Sequence, residues 1–267
     1  MTMLEMGWFS TGRGEGSLGL LNFIQGLILR GELDARIRFV FSNREPGEAE
    51  GSDRFFQQVS DYGLPLASYS SRSFRKSVGG AFDDHRLQYD REVMVRLEGF
   101  NPDVCVLAGY MLIVGPEMCH RYTMLNLHPA LPWGPIGTWQ EVIWSLLESR
   151  TETTGSMGHL VTEEVDRGPV VAYCTLPLIG GQFDQAWREI EGRPIAELKE
   201  AYGEELPLFR LIRKEGYKRE PYLLGAALGA LAKGQVVVRE DRVLDRGGQT
   251  IEGLCMDGEI ERTVASG

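Results

Sequence analysis

The chain has few cysteines and no closely spaced pair of them. Four cysteines, Cys105, Cys119, Cys174 and Cys255, are spread over 267 residues. This number and spacing exclude the disulfide framework of a small secreted domain, and they exclude a CxxC metal knuckle. We therefore expect a reducing compartment and no metal site.

Long hydrophobic runs and an excess of basic residues are also missing. The longest nearly unbroken apolar run, residues 104–114, is well short of the roughly 18 residues that a membrane-spanning helix requires. Residues 1–7 lack the parts of a signal peptide. Lys and Arg number 28 against 38 Asp and Glu, and the net charge of −10 opposes binding to a polyphosphate backbone. We predict a cytoplasmic protein that binds neither membranes nor nucleic acid.

Short apolar runs alternate with longer amphipathic stretches, which is the pattern of βαβ units. The predicted fold class is α/β, with a mainly parallel sheet flanked by helices. Strands are predicted at 6–10, 35–41, 104–108, 123–128, 156–162, 169–176 and 236–239. Helices are predicted from the apolar spacing of residues 20–28 and at 53–62, 87–99, 139–148, 184–192, 194–202, 204–214 and 221–233. Residues 68–80 are predicted to form a loop, and the chain after residue 239 an irregular tail.

A glycine-rich loop follows the first predicted strand. Residues 14–19 satisfy GxGxxG between a strand and a helix, which is the pattern of a dinucleotide site. Such a site also needs an acid after the second strand, where Ser42, Asn43 and Arg44 stand, and Glu15 would bring negative charge to the phosphates. The alternative is a single phosphate at the helix N-terminus, held by backbone N–H groups and Arg13.

The densest polar group is Asn126-Leu127-His128-Pro129. Side chains two residues apart on a strand point to the same side, so Asn126 and His128 should converge. Pro129 disfavours a helical conformation at His128 and keeps that residue extended. An amide donor beside an imidazole suits the stabilisation of an oxyanion together with proton transfer. The alternative is a hydrogen-bonding pair with a purely structural role.

Asp166 lies in an acidic turn with Glu163, Glu164 and Arg167. Gly168 and Pro169 make this turn rigid, so the Asp166 carboxylate would be able to orient an imidazole and raise its basicity. The alternative is an ordinary solvated surface turn.

These motifs together resemble the folate-dependent formyltransferases. Residues 126–129 and 164–169 carry the resemblance, and residues 39–43, 102–104 and 107–111 and Gly155 with His159 follow the family in the same order. The similarity covers roughly residues 8 to 180. Residues 234–238 are similar to the end of the family core, after an enlarged segment near 184–222.

The resemblance implies the formyltransferase variant of the Rossmann-like fold and one domain over residues 1–267. Its core would span about 7–180, with a helical extension and closing strand at about 181–267. It also implies formyl transfer from 10-formyltetrahydrofolate to a primary amine, glycinamide ribonucleotide of purine biosynthesis being the first candidate. The partners would be small molecules, the folate and a phosphorylated amine, and a homodimer is one candidate assembly.

The resemblance further implies the site residues. The catalytic residues would be Asn126, His128 and Asp166. The acceptor would be bound by Gly12, Arg13, Gly14, Glu15, Gly16, Ser17, Tyr110 and Met111. The folate would be bound by Leu112, Ile113, Val161, Thr162, Glu163, Glu164 and Val165.

Three departures from the family pattern concern substrate choice. The loop carries Glu15 in place of the usual Asn-Gly-Ser-Asn run, Leu112 replaces an arginine, and residues 130–137 replace a Ser-Leu-Leu-Pro loop. The alternatives are therefore an enzyme acting on another amine, such as an amino sugar nucleotide, a formyltetrahydrofolate hydrolase, and a folate-binding regulatory relative without turnover. The hydrolase carries a domain before the core, and the early first strand predicts none here.

Overall fold

A computed structural model of the chain describes residues 3–266. The strands are β1 Leu4–Ser10, β2 Ala35–Ser42, β3 Leu66–Ser68, β4 Val104–Leu107, β5 Met124–His128, β6 Thr153–Leu160, β7 Val170–Pro177, β8 Val236–Arg239, β9 Arg242–Asp245 and β10 Leu254–Cys255. The α-helices are α1 Glu15–Leu29, α2 Glu50–Asp61, α3 Ser71–Val78, α4 Arg86–Arg96, α5 Pro116–Arg121, α6 Trp139–Glu148, α7 Gly181–Glu189, α8 Ile195–Tyr202, α9 Pro207–Ala232 and α10 Asp257–Ser266. Phe82–His85 and Gly203–Glu205 form 3₁₀ turns.

The chain divides into two compact units. Unit 1 contains the residues up to Asn126, Leu160–Pro169 and Leu228–Ile251, and unit 2 contains Leu127–His159, Val170–Ala227 and the residues from Glu252 onward. Three of the divisions fall within elements, namely β5, β6 and α9. The single domain expected over residues 1–267 stays a prediction.

Unit 1 contains a parallel sheet with the strand order β5-β4-β1-β2-β3. Its strands are rich in apolar residues because both faces of such a sheet are covered. Phe9, Phe39 and Phe41 lie fully buried in the apolar cluster of this unit. Parallel pairing brings the carboxyl ends of β1, β2, β4 and β5 to one edge, and Leu107 is in register with Asn126. The predicted α/β class with a mainly parallel sheet is confirmed.

Unit 2 is built on β6, β7 and β10. β6 and β7 are antiparallel, and β10 is parallel to β7. Helix α6 begins at Trp139 because Thr138 and Glu141 form a capping box, in which each side chain binds the backbone N–H of the other. Val142, Leu146 and Leu147 on α6 belong to the apolar cluster of this unit, together with residues of α7, α8 and α9.

The predicted loop at residues 68–80 was wrong in part, because α3 lies within it. Ser70 caps this helix by accepting a hydrogen bond from Ser73 N at 3.0 Å. Only Ser71 and Phe74 of the helix are buried, and its only large apolar residues are Phe74 and Val78, so the segment offers few positions from which a helix can be predicted. The capping serine was the sequence signal.

The predicted helices 204–214 and 221–233 are one helix, α9, with Pro221 inside it. Proline removes a helical hydrogen bond and usually breaks a helix. Here the buried positions keep helical spacing across the proline and hold both sides in one helix. These positions are Leu208, Phe209, Ile212, Leu223, Leu224, Ala227 and Leu228.

The predicted irregular tail was also wrong. β8 was predicted correctly, but it pairs with β9 in a two-stranded sheet. Glu240 and Asp241 connect the two strands with φ of 50° and 55°, as a two-residue type I′ turn requires. The usual signal for this turn is Asn-Gly, and its absence concealed the hairpin. Helix α6 has its predicted bounds, and the remaining predicted elements are present with shifted ends.

Candidate active site

The loop between β1 and α1 is held by polar contacts and by glycine. Thr11 N donates to Gly109 O at 3.0 Å, and Thr11 Oγ1 accepts from Met111 N at 2.9 Å. Gly12 has φ of +67°, and a Cβ there would lie 2.9 Å from the Phe55 ring. The loop therefore depends on the absence of a side chain at Gly12.

Helix α1 begins with free backbone donors. Gly14 is its N-cap and supplies no side-chain cap, and the first N–H groups of a helix have no partner within it. Arg13, Gly14 and Glu15 are exposed, whereas Ser17 is buried. Glu15 Oε1 lies 3.5 Å from Arg54 Nη1 on α2. The helix end has the donors and the dipole that favour an anion.

The segment after β4 divides into a buried and an exposed part. Tyr110 is 8% exposed in the unit 1 core, with its ring 5.7 Å from that of Phe9, and burial raises the pKa of its phenol well above the usual value. Leu112 packs partly against the same core. Met111 and Ile113 are 69% and 53% exposed. The exposed pair is placed for ligand contact, while Tyr110 supports the backbone from within.

Asn126 and His128 lie at the carboxyl end of β5, two residues apart. Asn126 is half-buried and His128 is 3% exposed. His128 Nε2 lies 2.8 Å from Pro135 O. A carbonyl oxygen only accepts, so Nε2 is the proton donor in this contact. The ring of His159, also buried, stands nearly perpendicular to that of His128 at 6.3 Å.

The turn that follows β6 belongs to unit 1, and backbone hydrogen bonds hold it in place. Val161 N donates to Met124 O at 2.8 Å, and Leu160 N donates to Pro169 O at 2.8 Å. A Cβ at Gly168 would lie 1.8 Å from Leu160 O, so this close approach requires glycine. Asp166 is half-buried with φ of 56°. Its relation to the imidazole stays a prediction.

Most residues of this turn line a cavity of about 260 Å³ in unit 1. The lining residues are Cys119, His120, Val161, Thr162, Glu163, Glu164 and Asp241. His120 Nε2 lies 3.4 Å from Glu163 Oε1, and burial raises the pKa of the Cys119 thiol to about 11. Val161 to Glu164 were predicted to bind folate, whereas Cys119, His120 and Asp241 were missed because they carry no motif and are distant in sequence.

The described residues contain neither a membrane-spanning helix nor a metal-binding cluster. Among residues 3–266, no helix is long and apolar enough to cross a membrane. Within the described part of the chain, no group of three or more His, Cys, Asp or Glu side chains is arranged to hold a metal ion.

The parallel sheet, the glycine loop after β1 and the polar end of β5 define an α/β protein, and in this class the ligand site is expected at the carboxyl edge of the strands. The family profile described as formyl transferase matches residues 25–186. The chain belongs to the formyl transferase family, and the family predicted from the motifs is confirmed.

Named relatives agree with this family. The phosphoribosylglycinamide formyltransferase of Escherichia coli (strain K12) is 34% identical over 134 residues, which cover 49% of this chain and 61% of that protein. The Saccharomyces cerevisiae protein of the same name is 33% identical over 180 residues, covering 61% and 81%. The structure of the Coxiella burnetii phosphoribosylglycinamide formyltransferase in complex with CHES has a TM-score of 0.67 at 19% identity, covering 94% and 98%. This last likeness shows the fold alone.

Proposed function

We propose that this chain transfers the formyl group of 10-formyltetrahydrofolate to the primary amine of glycinamide ribonucleotide, a step of purine biosynthesis. The observation that carries the proposal is the amide and imidazole pair of Asn126 and His128 at the end of β5, in a chain of this family. The relatives from Escherichia coli and Saccharomyces cerevisiae support this acceptor, because both are named phosphoribosylglycinamide formyltransferase.

The chemistry needs a donor to the formyl oxygen and a carrier for one proton. The Asn126 amide donates to the oxygen as negative charge builds on it during attack by the amine nitrogen. His128 accepts the ammonium proton and returns it to N10 of the folate as the carbon–N10 bond breaks. Asp166 orients the imidazole and stabilises its charged form. The products are the formylated amine and tetrahydrofolate.

The cavity beside the turn suits a reduced folate. Val161 gives it an apolar wall, and the carboxylates of Glu163 and Glu164 are acceptors for the amino groups of a pteridine ring. The N-terminus of α1 suits the acceptor phosphate, and the pairing of Glu15 with Arg54 supports an orientation of the Glu15 carboxylate away from it. Cytoplasmic location, a homodimer and the absence of nucleic-acid binding stay predictions.

The test is incubation with 10-formyltetrahydrofolate and a panel of amines, followed by the absorbance change on folate release. We expect turnover with glycinamide ribonucleotide and none with water alone. Turnover with water alone would identify a hydrolase, and turnover with only an amino sugar nucleotide would move the acceptor to that class. Folate binding without any turnover would identify a regulatory protein.

A further inference from the structure

Four arginines of unit 1 approach the segment between β2 and α2. Arg44 Nη1 lies 4.0 Å from Glu48 Oε2, and Arg72 Nη1 donates to Glu48 O at 3.5 Å. Arg75 follows Arg72 by three residues on α3 and so lies on the same helix face. The β2–α2 segment and α3 therefore bring three arginines close together, and the Arg75 guanidinium also lies 4.4 Å from the centre of the Phe82 ring.

The fourth arginine comes from the glycine loop. A Cβ at Gly51, in the first turn of α2, would lie 2.3 Å from Arg13 O, so the backbone of Arg13 lies directly against α2. The pKa of the Arg44 guanidinium is lowered, first by burial, and the charges of Arg13, Arg72 and Arg75 act in the same direction. Arg13, Arg72 and Arg75 are therefore each close enough for their charges to act on Arg44.

The nearby carboxylate of Glu48 is already engaged. It accepts a hydrogen bond from Ser70 Oγ and, at 3.3 Å, one from Glu45 N. Arg44 Nη1 is buried, and within residues 3–266 it has no hydrogen-bond partner. A buried donor without a partner costs free energy, and so does mutual repulsion of cations. Both costs are removed when an anion with several oxygens binds.

We propose that Arg13, Arg44, Arg72 and Arg75 form a phosphate-binding site, and that it takes the phosphate of the acceptor. The second part rests on the proposed function. Guanidinium groups bind phosphate oxygens in pairs of hydrogen bonds, which makes arginine the side chain best suited to this ligand. The arginines follow β1, β2 and β3, whose carboxyl ends share one edge. They replace the polar side chains that the loop of this chain lacks.

The first experiment measures phosphate binding without turnover. The melting temperature of the full chain is followed against inorganic phosphate, with chloride at equal ionic strength as reference. Arg72→Ala removes an exposed side chain, and Arg44→Lys keeps the charge but loses the paired donors. Arg91→Ala is the matched control, because Arg91 pairs with Glu117 at 2.8 Å outside the cluster.

We expect phosphate to stabilise the wild type and Arg91→Ala alike. In Arg72→Ala and Arg44→Lys the apparent Kd for phosphate should rise about tenfold or more, since a charge-assisted hydrogen bond is lost. An equal response of all four proteins to phosphate would overturn the site. This readout does not depend on formyl transfer, so it separates the failure of the site from the failure of the proposed function.

The second experiment assigns the ligand. In Arg72→Ala the KM for glycinamide ribonucleotide should rise about tenfold or more, while kcat and the KM for the folate stay within about twofold. A rise confined to the folate KM would show that the arginines hold the folate carboxylates, and it would overturn the assignment to the acceptor. Absence of formyl transfer in the wild type would reject the proposed function and, with it, the identity of the acceptor.

Discussion

Glu15 on the first turn of α1 pairs with Arg54 on α2, with 3.5 Å between Oε1 and Nη1. The negative charge of Glu15 is the feature that would most oppose phosphate binding at the glycine loop. The Glu15 side chain is 79% exposed, so its charge is strongly screened by water. The acid is compatible with an anion at the backbone N–H groups of the same helix end.

Glu15→Gln should therefore change acceptor binding little. We expect the KM for glycinamide ribonucleotide to shift by less than about fivefold, because an exposed charge contributes at most about 1 kcal/mol. Steady-state kinetics with both substrates measure this, and the folate KM is the internal reference. A tenfold gain in acceptor affinity would contradict the placement of Glu15, because it would mean that the carboxylate faces the phosphate.

Gly109 should be intolerant of any side chain. It has φ of +70°, and a Cβ there would lie 2.2 Å from Ser17 Oγ in α1. Gly109→Ala should lower the free energy of unfolding by about 2 to 4 kcal/mol, from backbone strain and overpacking. Urea unfolding measures this change. Gly31→Ala is the matched control, because Gly31 has a similar φ of +72° with nothing within 4 Å; equal losses would contradict the packing argument.

Asp90 should make stability depend on pH. The side chain is buried, accepts from Gly115 N at 2.7 Å, and burial raises its pKa to about 6. A carboxyl whose folded pKa is raised favours the folded state while protonated, so stability should fall as pH rises from about 4 to about 6. The loss should approach about 3 kcal/mol.

Asp90→Asn keeps an acceptor for Gly115 N and removes the titration. Urea unfolding at pH 4 and at pH 8 should therefore show a smaller loss on raising the pH in this variant than in the wild type. Asp61→Asn, at an exposed position, is the control and should keep the wild-type difference. An unchanged difference in Asp90→Asn would show that other groups cause it.

The single-domain prediction has its own test. Three of the divisions between units 1 and 2 fall inside β5, β6 and α9, so separate unfolding of the units would require these elements to break internally. We expect far-UV circular dichroism and tryptophan fluorescence to give coincident urea transitions. Two separated transitions, or a stable proteolytic fragment from about residue 180 onward, would contradict a single cooperative domain.

The elements with strong apolar periodicity were predictable from the sequence. The elements whose extent depends on tertiary packing were not. β8 and α6 were predicted at their observed bounds because their patterns are complete within a few residues. Helix α9 was predicted as two helices because proline usually breaks a helix, and Pro221 lies inside it. The buried residues that hold it together as one helix lie on both sides of Pro221, over a longer stretch than a local pattern covers. The hairpin after β8 lacked the usual turn residues.

The candidate site was also predictable only in part. Asn126 and His128 are neighbours through strand geometry, so their common side follows from sequence spacing alone. The arginine cluster joins Arg13, Arg44 and α3, which are far apart in sequence. Basic residues soon after three successive parallel strands were the available signal. Recognising this signal would have required knowledge of the strand order and of the helix at 71–78.

The central claim is that Asn126, His128 and Asp166 act together in catalysis. The most direct measurement is kcat for formyl transfer by Asn126→Ala, His128→Ala, Asp166→Asn and the triple variant, with His85→Ala as control. Each of the two alanine variants should lose about 10²- to 10³-fold, with little change in folate binding, because an oxyanion donor or the proton carrier is gone. The triple variant should be little worse than the worst single variant. Near-normal formyl transfer by His128→Ala or Asp166→Asn would contradict the mechanism and leave the motif with a structural role.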